Sequence, residues 1–224
     1  MKTAFYFCTR NTYPKSTLAF KSLLQINQKL RFDIFFKSNN KEGLSVNYNS
    51  FLREKSGQYD NIVFIHDDVY VDDFNIIEKL QKAHDSFDIV GLAGGINMRI
   101  QNPALWHLMC GGFQSNNLRG AVAHFTSENA FHMTSFGITP SRVAVLDGLF
   151  LSVNCKAINA AEFAFNENYT FHHYDISSCI DANKKKLKLG VYPIWVIHKS
   201  PGLLDPNSAL YLDSERKFLQ EYLD

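Results

Sequence analysis

Residues 62–68 read IVFIHDD, and this stretch decides the fold class of the 224-residue chain. Four consecutive apolar residues, three of them β-branched, are typical of a strand that is buried on both faces of a parallel sheet. The run ends abruptly at His66, so Asp67 and Asp68 are expected at the carboxyl edge of that sheet. In open α/β sheets, ligands bind outside this edge. The stretch therefore predicts a central strand and the location of a site.

Working outward, strand-like and helix-like segments alternate along the first half of the chain. A short apolar run at residues 4–8 predicts the first strand, and Ser16 is expected to cap the helix that follows. Apolar residues at positions 44, 48, 51 and 52 have the spacing of one helix face. This alternation predicts an α/β fold with a mostly parallel central sheet flanked by helices. We expect a single domain over residues 1–224, with 205–224 as a C-terminal helical tail.

The second half is less regular. Residues 97–140 show poor periodicity, with many glycines, asparagines and isolated aromatic residues. We expect irregular structure there, lying over the site. Strands are predicted at 143–146, 149–153 and 191–197, and a helix at 175–186.

Bulk composition excludes several classes of protein. The chain has 46% hydrophobic and 20% charged residues, as an ordinary globular domain does. Its net charge of +1 gives no overall bias toward nucleic acid or an anionic membrane. The four cysteines form no CxxC pair, which argues against a zinc site and favours a cytoplasmic location. The apolar runs are far shorter than the roughly 18 to 20 residues of a membrane span, so at most peripheral contact with the inner face of a membrane is expected.

The acid pair carries the sharpest chemical signal. Two adjacent carboxylates repel each other, and a site that keeps Asp67 and Asp68 ionised usually holds a cation. Hard oxygen ligands suit Mg²⁺ or Mn²⁺, which also neutralise a diphosphate. The same two residues could equally begin a turn and cap the next helix.

Three further element ends carry polar residues. His198 follows an apolar strand, Asp175 opens a helix, and Asp147 with Gly148 follows another apolar run. Each has an ordinary structural explanation, as a strand-end histidine, a helix cap and a turn. If they meet Asp68 at one sheet edge, they form a metal and acid–base site, with Asp175 as a candidate general base.

The order and spacing of several short strings resemble a known family. The strings are Tyr48-Asn49, 64–69 (FIHDDV), 90–94 (VGLAG), 145–149 (VLDGL), 173–176 (HYDI) and 197–200 (IHKS). Together they resemble bacterial GT-A glycosyltransferases related to glycosyltransferase family 2, in particular the small "glycosyltransferase-like" branch with an HDD motif. The resemblance spans roughly residues 4–202 and implies the GT-A fold.

The resemblance also implies roles for individual residues. Residues 66–68 would take the place of the DxD motif, with Asp67 near the nucleotide and Asp68, together with His198, on Mn²⁺ or Mg²⁺. Asp175 would stand where such enzymes place the base of inverting transfer. Asp147 and Gly148 would lie by the donor sugar or the acceptor, and the remaining donor-site residues implied in this way are Thr9, Arg10 and Asn49.

The implied activity is metal-dependent transfer of a sugar from a nucleotide-sugar, with UDP-sugar as the first expectation. The acceptor would be a carbohydrate or lipid-linked glycan, with no nucleic acid partner and the oligomeric state left open. His66 and Ser177 depart from the family pattern, which keeps open a non-catalytic relative that binds nucleotide or glycan. A nucleotidyltransferase is disfavoured because residues 8–12 contain no glycine. If the chain were a purely structural or interaction protein, no cluster of acids would be expected in any pocket.

Overall fold

Two mixed β-sheets and seven α-helices make up the described part of this computed structural model, residues 1–101, 105–127, 130–199 and 207–223. The strands of the first sheet lie in the order β2 (Asp33–Lys37), β1 (Thr3–Cys8), β3 (Asn61–Ile65), β11 (Phe150–Asn154), β5 (Ile89–Gly91), β12 (Leu189–Val191) and β9 (Ser141–Val143). The predicted strand over residues 62–65 is central and fully buried, as its apolar run indicates.

The expectation of a mostly parallel sheet is wrong. Three neighbouring pairs of the first sheet are parallel, β1 with β2, β1 with β3 and β5 with β12. The other three are antiparallel, because β11 inserts between β3 and β5 and β9 adds to the edge. Since β11 runs against β3, it begins at the edge where β3 ends. This places the residues before β11 beside residues 66–68.

The second sheet lies in the order β10 (Val145–Leu146), β6 (Ala93–Gly95), β7 (Leu118–Ser127), β13 (Val196–His198) and β4 (Val69–Val71), with β8 (Ala130–Gly137) also paired to β7. The expected irregular structure over 97–140 is therefore wrong for residues 118–127 and 130–137, which form the long β7–β8 hairpin. Most of β8 is solvent-exposed, so its sequence lacks the apolar alternation of a half-buried strand. The predicted strand over 191–197 is two strands, β12 and β13, which belong to different sheets.

The helices are α1 (Leu18–Asn27), α2 (Leu44–Lys55), α3 (Ile76–His84), α4 (Trp106–Met109), α5 (Cys155–Ala160), α6 (Tyr174–Lys184) and α7 (Ala209–Leu223). The cap of α1 is Thr17 rather than Ser16, because the Thr17 hydroxyl accepts a hydrogen bond from the Phe20 amide at 3.2 Å. Ser16 lies in the preceding short 3₁₀ turn and donates to the Tyr13 carbonyl. The predicted face of α2 is buried as expected.

Aromatic packing supports the edge of the first sheet that faces the site. Tyr48 of α2 stacks on Phe64 of β3 with ring centres 4.3 Å apart, and Phe165 packs edge-on to both. On the other side of α6, Phe218 of α7 is fully buried. The first two residues of the predicted tail, 205 and 206, lie outside the described residues. Among the residues described, no helix is long and apolar enough to cross a membrane.

Candidate active site

The segment after β3 is held by backbone hydrogen bonds to two other strands. The His66 amide donates to the Leu149 carbonyl at 3.0 Å, just before β11. The Lys199 amide donates to the Asp68 carbonyl at 3.0 Å, just after β13. Because β13 pairs antiparallel with β4, His198 lies opposite Val69. The sheet register therefore brings His198 next to Asp68, 130 positions earlier in the chain.

His66, Asp68 and His198 form a cluster with the chemistry of a metal site. One ligand atom from each side chain lies within 4.8 Å of the other two. His198 Nε2 is 3.3 Å from Asp68 Oδ1, but the angles do not make a hydrogen bond. Among the described residues, that buried oxygen therefore has no hydrogen-bond partner, which is rare in folded proteins. Two imidazoles and one carboxylate fit a divalent ion, and the nitrogen ligands suit a first-row transition ion better than Mg²⁺.

The charges in this cluster are coupled. Burial alone would raise the pKa of Asp68, but the adjacent His198, with His66, holds that pKa below its usual range. Burial likewise works to lower the pKa of His198, and the Asp68 carboxylate outweighs it and raises the pKa. Burial lowers the pKa of His66, which favours its neutral form. A neutral imidazole is the form that binds a metal.

A cavity of about 410 Å³ opens beside this cluster. Six of the eight histidines of the chain line it, together with a set of aromatic residues and the two carboxylates Asp147 and Asp175. Among the described residues that line it, none is Lys or Arg. Aromatic faces and neutral imidazoles offer stacking and hydrogen bonds to an uncharged ring with hydroxyl groups.

Asp175 lies in the first turn of α6 and faces Gly148 across the cavity wall. Its Oδ2 accepts a hydrogen bond from the Gly148 amide at 3.0 Å, and its Oδ1 accepts one from the Ile176 amide at 2.9 Å. Burial, reinforced by the nearby negative charge of Asp147, raises the pKa of Asp175 to about 7. A carboxylate with a pKa near neutral is suited to general-base catalysis.

Asp147 and Gly148 form the turn between β10 and β11. Asp147 accepts hydrogen bonds from the indole of Trp106 at 2.6 Å and from the Leu149 amide at 3.0 Å. A Cβ at Gly148 would collide with the hydroxyl of Tyr174 and the Cβ of Asp175. Only glycine fits this position without a shift of its neighbours.

Tyr174 joins this turn to the cluster. Its hydroxyl donates to the Gly148 carbonyl at 2.7 Å and lies 2.9 Å from His66 Nε2. The ring is buried beneath the cavity.

Of the residues predicted from sequence, Asp147, Gly148, Asp175 and His198 line the cavity, and Asp68 contacts His198. Asp67 does not line it, and its carbonyl accepts a hydrogen bond from the Ala19 amide of α1. Thr9 and Arg10 lie in the loop after β1, outside the cavity lining, with Thr9 buried and Arg10 exposed.

Asn49 does not reach the cavity. Its side-chain oxygen accepts from the Phe165 amide, and its side-chain nitrogen donates to the Phe165 carbonyl, both at 2.8 Å. The nitrogen also donates to Glu167 at 2.9 Å. These bonds fasten α2 to the segment before α6, and the expected donor contact of Asn49 stays a prediction.

Sequence reasoning missed several residues of the site. His66, a departure from the family pattern, lies in the cluster. His124 of β7 lies between His198 and His132, with ring centres 5.7 and 5.5 Å away, and also lines the cavity. The signal available for His124 was that three of the eight histidines of the chain lie in 97–140.

Comparisons with known proteins bear on the fold and the family. The sequence model described as "Glycosyltransferase like family" matches residues 4–222. No curated protein matches significantly. The crystal structure of A197 from STIV superposes with a TM-score of 0.54 and 11% identity, over 93% of this chain and 100% of that one. S. aureus TarS superposes with a TM-score of 0.51 and 11% identity, over 100% of this chain and 43% of TarS. At such identities the likeness establishes the fold, and the expected GT-A fold is confirmed, with mixed sheets.

Proposed function

Since this chain belongs to the glycosyltransferase-like family, we propose that it transfers a sugar from a nucleotide-sugar donor to a hydroxyl group of an acceptor, with inversion at the anomeric carbon. One observation carries the proposal. A carboxylate of raised pKa, Asp175, lies in the same cavity as His66 and His198 of the metal-type cluster. Inverting transfer needs a base on one side of the anomeric carbon and charge neutralisation on the other.

The cluster of His66, Asp68 and His198 would hold a divalent ion, with Mn²⁺ favoured over Mg²⁺ by its two nitrogen ligands. Asp68 Oδ1 has an ion-pair contact with His198 but no hydrogen bond of good geometry, which supports this assignment because a bound cation would satisfy that oxygen. When bound, such an ion neutralises the negative charge of the diphosphate leaving group.

The donor would extend from the cluster toward the loop after β1. We assign Asp67, Thr9 and Arg10 to the nucleotide side of the site, with UDP as the nucleotide expected from the family resemblance. Arg10 is exposed and offers a guanidinium group, a side chain that the described lining of the cavity does not contain. Asp147 and Gly148 would lie beside the donor sugar.

Asp175 would act as the base. As the acceptor oxygen forms its bond to the anomeric carbon, its proton passes to the Asp175 carboxylate and the bond from that carbon to the diphosphate breaks. The amides of Gly148 and Ile176 hold the carboxylate in place, so little reorganisation is needed at the moment of reaction. The aromatic and imidazole lining would bind an uncharged carbohydrate acceptor.

Calorimetry with UDP and UDP-sugars, with and without Mn²⁺, tests donor binding. We expect Asp68→Ala to lose metal-dependent nucleotide binding. Asp72→Ala removes a nearby exposed carboxylate outside the cluster and should change nothing. A folded protein that binds none of these nucleotides would contradict the proposal.

A transfer assay separates the enzyme from a non-catalytic relative that only binds the donor. We expect Asp175→Asn to bind donor as the wild type does and to lose transfer by about 100-fold or more, as loss of a general base does. Donor binding by the wild type without any transfer or hydrolysis would favour the non-catalytic alternative.

A further inference from the structure

We propose that Tyr174 is a positioning residue that holds His66 ready to bind metal. Through Gly148 it also connects the metal-type cluster to the base Asp175. The inference rests on the proposed function, because it assigns His66 to the metal and Asp175 to the proton. It goes further by naming the residue that couples the two halves of the site.

The hydrogen bonds of Tyr174 fix which ring nitrogen of His66 carries the proton. A tyrosine hydroxyl has one proton, and the Gly148 carbonyl at 2.7 Å can only accept it. The hydroxyl oxygen must therefore accept at its second contact, which makes His66 Nε2 the donor across 2.9 Å. In a neutral imidazole the other nitrogen, Nδ1, then keeps its lone pair for a metal. Such outer hydrogen bonds orient metal-binding histidines in many proteins.

Gly148 links this arrangement to the base through its own backbone. Its carbonyl accepts from Tyr174, and its amide donates to Asp175 at 3.0 Å. The missing Cβ lets the Tyr174 hydroxyl and the Asp175 side chain approach this one residue together. Tyr174 and Asp175 are consecutive, so the first turn of α6 forms hydrogen bonds to both the carbonyl and the amide of Gly148.

The start of α6 is itself held firmly. His173, which precedes the helix, has a left-handed backbone conformation with φ of 61°. The Ser214 hydroxyl of α7 donates to the His172 carbonyl at 2.9 Å and therefore accepts from His173 Nδ1 at 2.8 Å. These contacts restrict movement of the two residues that precede Tyr174.

A metal-binding titration isolates the role of the Tyr174 hydroxyl. Tyr174→Phe keeps the buried ring and removes only the oxygen. Tyr59→Phe is the matched control, because Tyr59 is also buried and donates to Asp33 at 2.7 Å, at the opposite edge of the sheet. Co²⁺ serves as the probe, since its absorption spectrum reports the ligands directly and no sugar donor is needed.

We expect wild type and Tyr59→Phe to bind Co²⁺ alike, and Tyr174→Phe to bind about 10- to 100-fold more weakly, the usual effect of removing such an outer partner. In a His66→Ala background, Tyr174→Phe should weaken binding no further, because Tyr174 acts through His66. In the transfer assay, Tyr174→Phe should raise the Mn²⁺ concentration needed for half-maximal rate.

Two results would overturn the inference: Tyr174→Phe binding Co²⁺ within about twofold of the wild type, or Tyr174→Phe weakening binding equally with and without His66. A wild type that binds no Co²⁺ would overturn both the inference and the metal assignment. If all variants bind Co²⁺ as expected above, but the wild type neither binds nucleotide nor transfers sugar, only the proposed function is contradicted.

Discussion

At the scale of single residues, the site depends on two neighbouring carboxylates with different surroundings. Asp147 accepts hydrogen bonds from Trp106 and the Leu149 amide, whereas Asp175 accepts from two backbone amides beneath the cavity. Burial first, and then the charge of Asp147, raises the pKa of Asp175 from 3.8 to about 7. A proton is thus held more tightly by the folded than by the unfolded chain, so this group's contribution to stability falls as pH rises from about 4 to 7.

The same pKa predicts the pH dependence of activity. A base must be ionised, so the rate should fall as pH drops through about 7, the pKa of Asp175. Asp147→Asn removes the neighbouring negative charge and should move the midpoint to lower pH. The profile of kcat/KM between pH 5 and 9 measures both effects. A midpoint that does not move in Asp147→Asn would show that Asp147 does not set this titration.

Residue types at element ends allowed part of this site to be predicted. Asp147, Gly148, Asp175 and His198 each follow or begin an element with a clear apolar pattern, and the structure brings all four to one cavity. The role of His66 could not be predicted, because its hydrogen-bond partner Tyr174 is 108 positions away. Nor can a local string reveal that the side-chain amide of Asn49 binds the backbone of Phe165, 116 positions away.

At the scale of elements, local patterns predicted what local forces determine. The buried strand β3 and the amphipathic helix α2 carry their burial in their own sequences. The β7–β8 hairpin does not, because β8 exposes most of its residues and is stabilised by pairing with β7. Pairing between strands far apart in sequence also places β13 between β7 and β4 rather than beside β12. That pairing places His198 at Asp68, so the metal-type cluster is a result of non-local register.

A glycine in β7 is needed where this strand passes close to Leu92, just before its partner strand β6. Gly120 has φ of +94°, and a Cβ there would collide with the Leu92 carbonyl oxygen. We expect Gly120→Ala to lower the free energy of unfolding by roughly 2 kcal/mol or more, because strain and collision add. Gly57→Ala is the control, since that position is exposed and open and should change stability by less than about 1 kcal/mol. Urea denaturation compares the two, and equal stabilities would contradict the close approach of β7 to residue 92.

At the scale of the whole molecule, α7 packs against the residues that precede α6 and so supports the site. Phe218 is fully buried, and its ring centre lies 6.1 Å from Tyr169 and 5.4 Å from His173. Ser214 of the same helix binds the two residues that precede α6. The helical tail predicted from sequence is thus a structural part of the site, and the single domain over residues 1–224 stays a prediction.

Removal of the buried Phe218 ring tests whether residues 1–224 form a single domain. If α7 and the sheets form one cooperative unit, Phe218→Ala should lower the free energy of unfolding by about 3 to 5 kcal/mol, the usual effect of removing a buried phenylalanine. Unfolding followed by far-UV and near-UV circular dichroism should still give one coincident transition. Leu210→Ala, at a position of α7 that is 76% exposed, is the control and should have little effect. If Phe218→Ala instead unfolds in two separate transitions, and the transition of the sheets is unchanged, then α7 unfolds independently. Residues 1–224 would then not be a single cooperative domain.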